Sequence, residues 1–287
     1  MRKKIPLNHK GFTLIELLVS LVVGSIVILS ASKLYFSTVQ TYHDRRIKTE
    51  ADETANTILQ MMVFDIRNAG NEIPDVMNWN MSSGLADDYI YPLLAVNSTS
   101  SNLQLHMSDS ATCTVLVADY DASAGMDVEI NDSLLSAGDI ITINGIQAGY
   151  ENALSGTINK VLGSGPYTAT LATSTYSGTP IFPDGSYLCQ IKVLIYTSNP
   201  AWTGIYFDDG EVGTIVAANT TFSVAYLDVS GAVVAMSNSN VRNTITTLEL
   251  TVYARGAKSL IDGSTYTAWA KQQVAIRHLL SSRYQSW

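Results

Sequence analysis

One stretch limits what this chain can fold into. Residues 12–29 are apolar apart from Thr13, Ser20, Ser25 and one carboxylate, Glu16. A run this long closes its backbone bonds internally as a helix, and as a helix it can cross a hydrocarbon core of roughly 30 Å. Glu16 is the anomaly, because a carboxylate inside such a run costs about 2.5–3.5 kcal/mol on insertion scales. A buried acid calls for a partner. The run holds no basic residue, and the nearest one, Lys10, lies on the other side of Gly11.

The flanks add direction. Residues 1–10 hold Arg2, Lys3, Lys4 and Lys10 and no acid. The excess of positive charge predicts that this end stays cytoplasmic. In an ordinary secretory signal the small-residue cleavage site follows the apolar segment, which is then discarded. Here the small residue, Gly11, precedes it. Cutting after Gly11 keeps the apolar segment and leaves a free amine on Phe12.

Gly11-Phe12-Thr13-Leu14-Ile15-Glu16-Leu17 resembles the class III signal of type IV prepilins and type II secretion pseudopilins. The resemblance implies cleavage between Gly11 and Phe12 by a prepilin peptidase, which is also the methyltransferase of the new Phe12 amine. It implies an assembly role for Glu16, as the charge partner of the Phe12 amine of a neighbouring subunit. It also implies partners: other major and minor pilins, an inner-membrane assembly platform, and membrane lipid before assembly. A plain signal anchor with a chance glutamate is the bland alternative.

The helical pattern continues beyond the apolar run. Ala51, Ala55, Ile58, Leu59, Met62, Val63 and Ile66 share one face, with Asp52, Glu53, Asn56, Gln60, Asp65 and Arg67 on the other. Residues 41–50 are polar and are expected in water or headgroups. No proline occurs from residue 12 to residue 73. The expectation is one helix over residues 12–69, closed by Gly70 and Pro74 and about 87 Å long. Gly24-Ser25 is a weak point within it. Two helices joined near residues 41–44 are the alternative.

From residue 75 on, short β-rich runs alternate with turn residues. Expected strands span residues 103–107, 114–118, 140–144, 157–162, 168–172, 188–196, 214–217, 222–227, 245–253 and 274–278. Turn signals include Asn144-Gly145, Pro183-Asp184-Gly185 and Asp262-Gly263. Along residues 246–253, Thr246, Leu248, Leu250 and Val252 alternate with polar positions, so one face is core and the other wet. The fold class is α+β: a long N-terminal helix, half transmembrane and half amphipathic, packed on an antiparallel β-sheet. The organisation is a leader over residues 1–11, a transmembrane part over 12–36, an amphipathic part over 37–70 and a β-rich periplasmic or extracellular head over 71–287.

A second resemblance sits at the helix end. Asp65-Ile66-Arg67-Asn68-Ala69-Gly70 is similar to the ending of the first helix in PilW-like minor pilins. Val241-Arg242 before the long strand, and Val274-Ala275-Ile276-Arg277-His278, are similar to the C-terminal part of that group, although His278 departs from its usual Asn. A J-type secretion pseudopilin shares the layout. The resemblance implies a structural subunit, inserted in the inner membrane before assembly and later in the pilus, periplasm or cell surface. A minor, tip or priming subunit of a type IV pilus is the first expectation. A J-type pseudopilin in protein export and a filament-displayed adhesin-like module are the alternatives.

Formal charge is −8, and loss of the leader's four positive charges takes it to −12. An acidic body disfavours nucleic acid as a partner. Cys113 and Cys189 are either a disulfide, as an oxidising envelope compartment permits, or two buried thiols. Asp119, Asp121, Ser123, Asp127 and Glu129 invite a calcium reading. The EF-hand spacing fails, however, because Ala124 and Ile130 stand where Gly and Glu are needed, so a solvated loop is expected. His9, His43, His106 and His278 show no metal-ligand spacing. No nucleophile elbow, phosphate loop or dinucleotide fingerprint is present, so the expectation is no enzyme, no metal and no cofactor.

Overall fold

The computed structural model describes residues 13–69, 99–108, 110–144, 153–177, 181–198, 204–208, 213–235 and 245–275. The expected stops Gly70 and Pro74, the pair Val241-Arg242, and residues 276–278 lie outside them.

Helix α1 runs unbroken over Leu14–Asn68, about 82 Å at 1.5 Å per residue. It passes through Gly24-Ser25 and through residues 41–44 without interruption, so the two-helix alternative falls. Ala69 ends it, its N–H donating to the carbonyls of Asp65 and Ile66. The apolar positions expected on one face are all buried, and Ile47 joins them. Residues 41–50 are therefore not wholly in water. Asp44 also accepts a hydrogen bond from the Ile261 backbone N–H at 3.1 Å.

The strands are β1 (Asn102–Ser108), β2 (Thr114–Val115), β3 (Tyr120–Asp121), β4 (Asp127–Ile130), β5 (Ile140–Asn144), β6 (Ala153–Leu162) and β7 (Tyr167–Ser177). They continue with β8 (Ile181–Phe182), β9 (Tyr187–Ser198), β10 (Ile205–Asp208), β11 (Thr214–Ala217), β12 (Thr220–Asp228), β13 (Ile245–Arg255) and β14 (Thr267–Ala275). All named pairings are antiparallel.

The helix packs on the three-stranded sheet β12-β13-β14 and on β1. Leu248, Leu250, Val252 and Ala254 of β13 and Ala268, Ala270 and Val274 of β14 face it and are buried. Ala51 and Ala55 meet them from the helix side. Small side chains on both surfaces let helix and sheet approach closely, while Met62 and Ile66 fill the remaining depth. At the lower end, the connection between β13 and β14 grips the helix. Tyr266 donates to Asp52 at 3.1 Å, and Lys48 lies 5.6 Å from the Tyr266 ring centre. Gly256 sits where a Cβ would come within 2.7 Å of Ile47 Cγ2, so this crossing favours glycine.

A second core lies outside the helix–sheet core, and β9 belongs to both. Its first residues, Tyr187–Gln190, pair with β2 and β5. From Ile191 on it pairs with β1, and its last residues also pair with β10. The apolar clusters divide at the same place. Leu188 packs with Leu116, Val128, Ile130, Ile141, Ile143, Leu154 and Phe182. Leu194 and Tyr196 pack with the helix. The described residues within 113–190 thus form a nested β unit inserted between β1 and the second half of β9. A disulfide between Cys113 and Cys189 closes its base.

The acidic stretch is not a plain loop, since it carries β3 and β4. Asp119 accepts from the Asp184 N–H at 2.8 Å, Asp121 accepts from both the N–H and the hydroxyl of Ser123, and Asp127 accepts from Thr170 at 2.6 Å. These carboxylates build turns and strand contacts. Among the described residues no group of three His, Cys, Asp or Glu side chains is placed to hold a metal ion.

Candidate functional site

The first half of α1 has no partner within the described chain. No residue from Thr13 to Arg46 is buried. Leu14, Leu29 and Leu34 are each at least 70% exposed, which an apolar side chain in water would not tolerate along a whole helix. The helix is long and apolar enough to cross a membrane. From Leu14 to the edge-to-face pair Tyr35 and Phe36 it rises about 32 Å, matching the hydrocarbon thickness. Three hydroxyls along this span are satisfied locally. Ser20 donates to the Leu17 carbonyl at 2.9 Å, Ser25 to Val22 at 2.7 Å and Ser30 to Ile26 at 2.8 Å. Lipid supplies no hydrogen bonds, so this internal satisfaction is what a spanning segment requires.

Glu16 stands in the first turn and is the third residue after the N-cap. Thr13 is that cap, with extended backbone angles (φ −73°, ψ 149°). Its hydroxyl accepts from the Glu16 N–H at 3.3 Å and donates to a Glu16 carboxylate oxygen at 2.9 Å. The Thr13 N–H donates to the same oxygen at 2.9 Å. This reciprocal pair is a capping box. The first-turn position also places the negative charge at the positive end of the helix dipole. The carboxylate therefore has a partner inside the run after all. Charge complementarity leads only as far as Lys10; the Thr-x-x-Glu spacing is the sequence signal that could have found Thr13.

Gly11 and Phe12 lie outside the described residues. The geometry thus covers one side of the expected cleavage point, where the helix begins two residues beyond Phe12. Cys113 and Cys189 are remote from this end, at the base of the nested unit, with Cα atoms 4.1 Å apart.

At the far end of α1, Asp65 does not lie on the wet face. It is half-buried and accepts a hydrogen bond from the hydroxyl of Tyr196 on β9. Burial raises its carboxyl above the ordinary value, and the Tyr196 bond opposes that shift. Burial also pushes the Tyr196 phenol up, with the neighbouring carboxylate acting in the same direction, so Tyr196 stays the donor. The last turn of the helix is tied in this way to the strand that joins the two cores.

The family model of the prokaryotic N-terminal methylation motif matches residues 6–32. No curated protein and no solved structure matches the chain. The matched segment contains Gly11, Phe12, Thr13 and Glu16 and ends inside the exposed half of α1. A prokaryotic N-terminal methylation motif thus leads a long helix packed on antiparallel sheets, an α+β architecture like that of type IV pilins and pseudopilins.

Proposed function

We propose that this chain is a structural minor subunit of a type IV pilus, acting in assembly or initiation at or near the tip. The observation that carries the reading is the exposed apolar half of α1, continuous with a helix half already covered by its own sheet. Such a helix needs either lipid or other helices around it, and a filament core supplies the second when the subunit leaves the first. The reading takes the N-terminus as cytoplasmic, with cleavage between Gly11 and Phe12 and methylation of Phe12. Prepilin peptidase, the assembly platform and other pilins are the partners. In a bundle of apolar helices, the Phe12 amine of a neighbour neutralises Glu16 and sets the register between subunits.

The head supports a minor place. It holds two cores and a nested β unit, and so much bulk beside one helix is harder to repeat at high copy. The nested unit also favours a display role, in which the outer part of the head contacts targets beyond the filament. Shear fractionation is the test. Processed chain should appear with sheared filaments at low copy, and its removal should reduce filament number. A chain that stays in the membrane while filaments form normally would refute the pilus reading.

A further inference from the structure

The sheet formed by β12, β13 and β14 has a second face, turned away from α1. Five rows of side chains cross it. In one row Thr221 is the register partner of Tyr253, and Tyr253 of Trp269. The next row holds Ser223, Thr251 and Lys271, and the one after it Ala225, Glu249 and Gln273. Trp269 is 66% exposed and Tyr253 36%. Every other residue of these three rows is small or hydrophilic. Two adjacent aromatic residues therefore border a floor of hydroxyls and methyls. With strands about 4.8 Å apart and rows about 6.7 Å apart, the shelf measures about 10 Å by 13 Å.

The polar groups along it balance. Lys271 Nζ lies 2.6 Å from a Glu249 carboxylate oxygen, and Gln273 donates to the other oxygen at 2.9 Å. Arg255, in the row beyond Tyr253, is turned to Thr265 at 3.2 Å. The shelf thus offers hydrogen-bond donors and acceptors with little net charge beside rigid aromatic residues. That combination suits a ligand with one apolar face and many hydroxyls. It suits nucleic acid poorly, because a chain of net charge −8 repels phosphates. A protein hot spot would call for a continuous apolar pocket, and the shelf has none among the described residues.

The geometry points to a neutral carbohydrate chain as the occupant, stacked on Trp269 and Tyr253 and hydrogen-bonded by Thr251, Lys271, Glu249 and Gln273. The face opposite a helix that enters a bundle is the face left outward, so the shelf stays accessible in a filament. That clause rests on the filament reading; binding in solution does not.

The test titrates the full processed chain, in detergent micelles, with cellohexaose, chitohexaose and isomaltohexaose by calorimetry. At least one should bind. Trp269→Ala should weaken that binding by about tenfold or more, while Trp269→Phe keeps most of it. Ser223→Arg should block the shelf while leaving both aromatic residues in the chain. Far-UV dichroism and melting must match the wild type for each variant, and filament incorporation measured alongside separates this proposal from the filament reading. No binding of any of the three sugars overturns the proposal. So does equal binding by Trp269→Ala and Ser223→Arg, or a Trp269-dependent contact with single-stranded DNA or a second copy of the chain in place of sugar.

Discussion

The hydroxyl of Tyr196 on β9 donates to the carboxylate of Asp65 in the last turn of α1. The contact spans 131 residues of sequence and ties the helix end to the strand shared by both cores. It gives a physical use to the aspartate that opens the Asp65-Ile66-Arg67-Asn68-Ala69-Gly70 sequence.

Tyr196→Phe leaves that half-buried carboxylate without its donor, and should cost about 1–3 kcal/mol at pH 7. Asp65→Asn keeps an acceptor for Tyr196 and removes the titrating group. Burial raises the folded-state value of Asp65 above the ordinary 3.8, so the native form holds this proton more tightly than the unfolded form. The stabilisation from that proton is complete below the unfolded value and is lost as pH rises through the raised folded value. Asp65→Asn should therefore gain on the wild type between about pH 4 and neutrality. Urea melts across that range, on a chain starting after Tyr35, decide it. Parallel pH profiles would show that Asp65 does not titrate as a buried group.

Leu59 is 3% exposed against the sheet, whereas Glu53 projects into solvent on the same helix. Leu59→Asp buries an unpaired charge and should destabilise by more than about 4 kcal/mol, enough to prevent folding of a marginal head. Glu53→Lys should change stability by less than about 0.5 kcal/mol. Thermal melts of the shortened chain give both numbers. Equal losses would contradict the orientation of α1 on the sheet.

These contacts show how far the residues alone reach. Helical periodicity in residues 51–66 identified the buried face, because a 3.6-residue repeat is a local signal. The same periodicity put Asp65 on the wet face, since only the fold brings Tyr196 near it. The last strand is expected at residues 274–278; β14 includes residues 274 and 275 but begins earlier, at Thr267, and residues 276–278 lie outside the described residues. Its Ala, Lys and Gln residues carry little strand propensity, and the close fit against Ala51 and Ala55 sets its place instead. Strands β3, β4, β8 and β10 are two to four residues long and were missed, too short for alternation to register. At the N-terminus the Gly11-to-Leu17 order was legible because its elements are consecutive. The Thr13 cap is written in a different signal, the Thr-x-x-Glu spacing, which is independent of the charge that makes Glu16 conspicuous.

The Cys113–Cys189 bridge spans a sequence separation of 76 residues and encloses most of the second core. Replacing both cysteines by serine should lower the stability of the nested unit by about 2–4 kcal/mol, through the freedom returned to its unfolded chain. Dithiothreitol added to the wild type should reproduce the loss. Hydrogen exchange separates the cores, with faster exchange in β5, β6 and β7 and little change in α1, β13 and β14. A uniform loss across both cores would mean that the nested unit does not unfold as a separate unit.

Glu16 has two roles to separate, the capping box with Thr13 and the proposed charge pairing with a neighbour's Phe12 amine. Three substitutions divide them. Glu16→Gln keeps a side chain that can close the box and loses the charge. Thr13→Ala removes the cap, at about 1 kcal/mol, and keeps the charge. Glu16→Val removes both and makes insertion easier, because the acid no longer enters lipid. If charge pairing drives assembly, both Glu16 variants should insert as well as wild type yet enter sheared filaments poorly, with Thr13→Ala near normal. If the cap matters more, Thr13→Ala and Glu16→Val should fail together and Glu16→Gln should assemble. Processing of each variant is followed by intact mass, so a cleavage defect is not mistaken for an assembly defect. Normal incorporation of both Glu16 variants, at normal abundance, would remove Glu16 from assembly altogether.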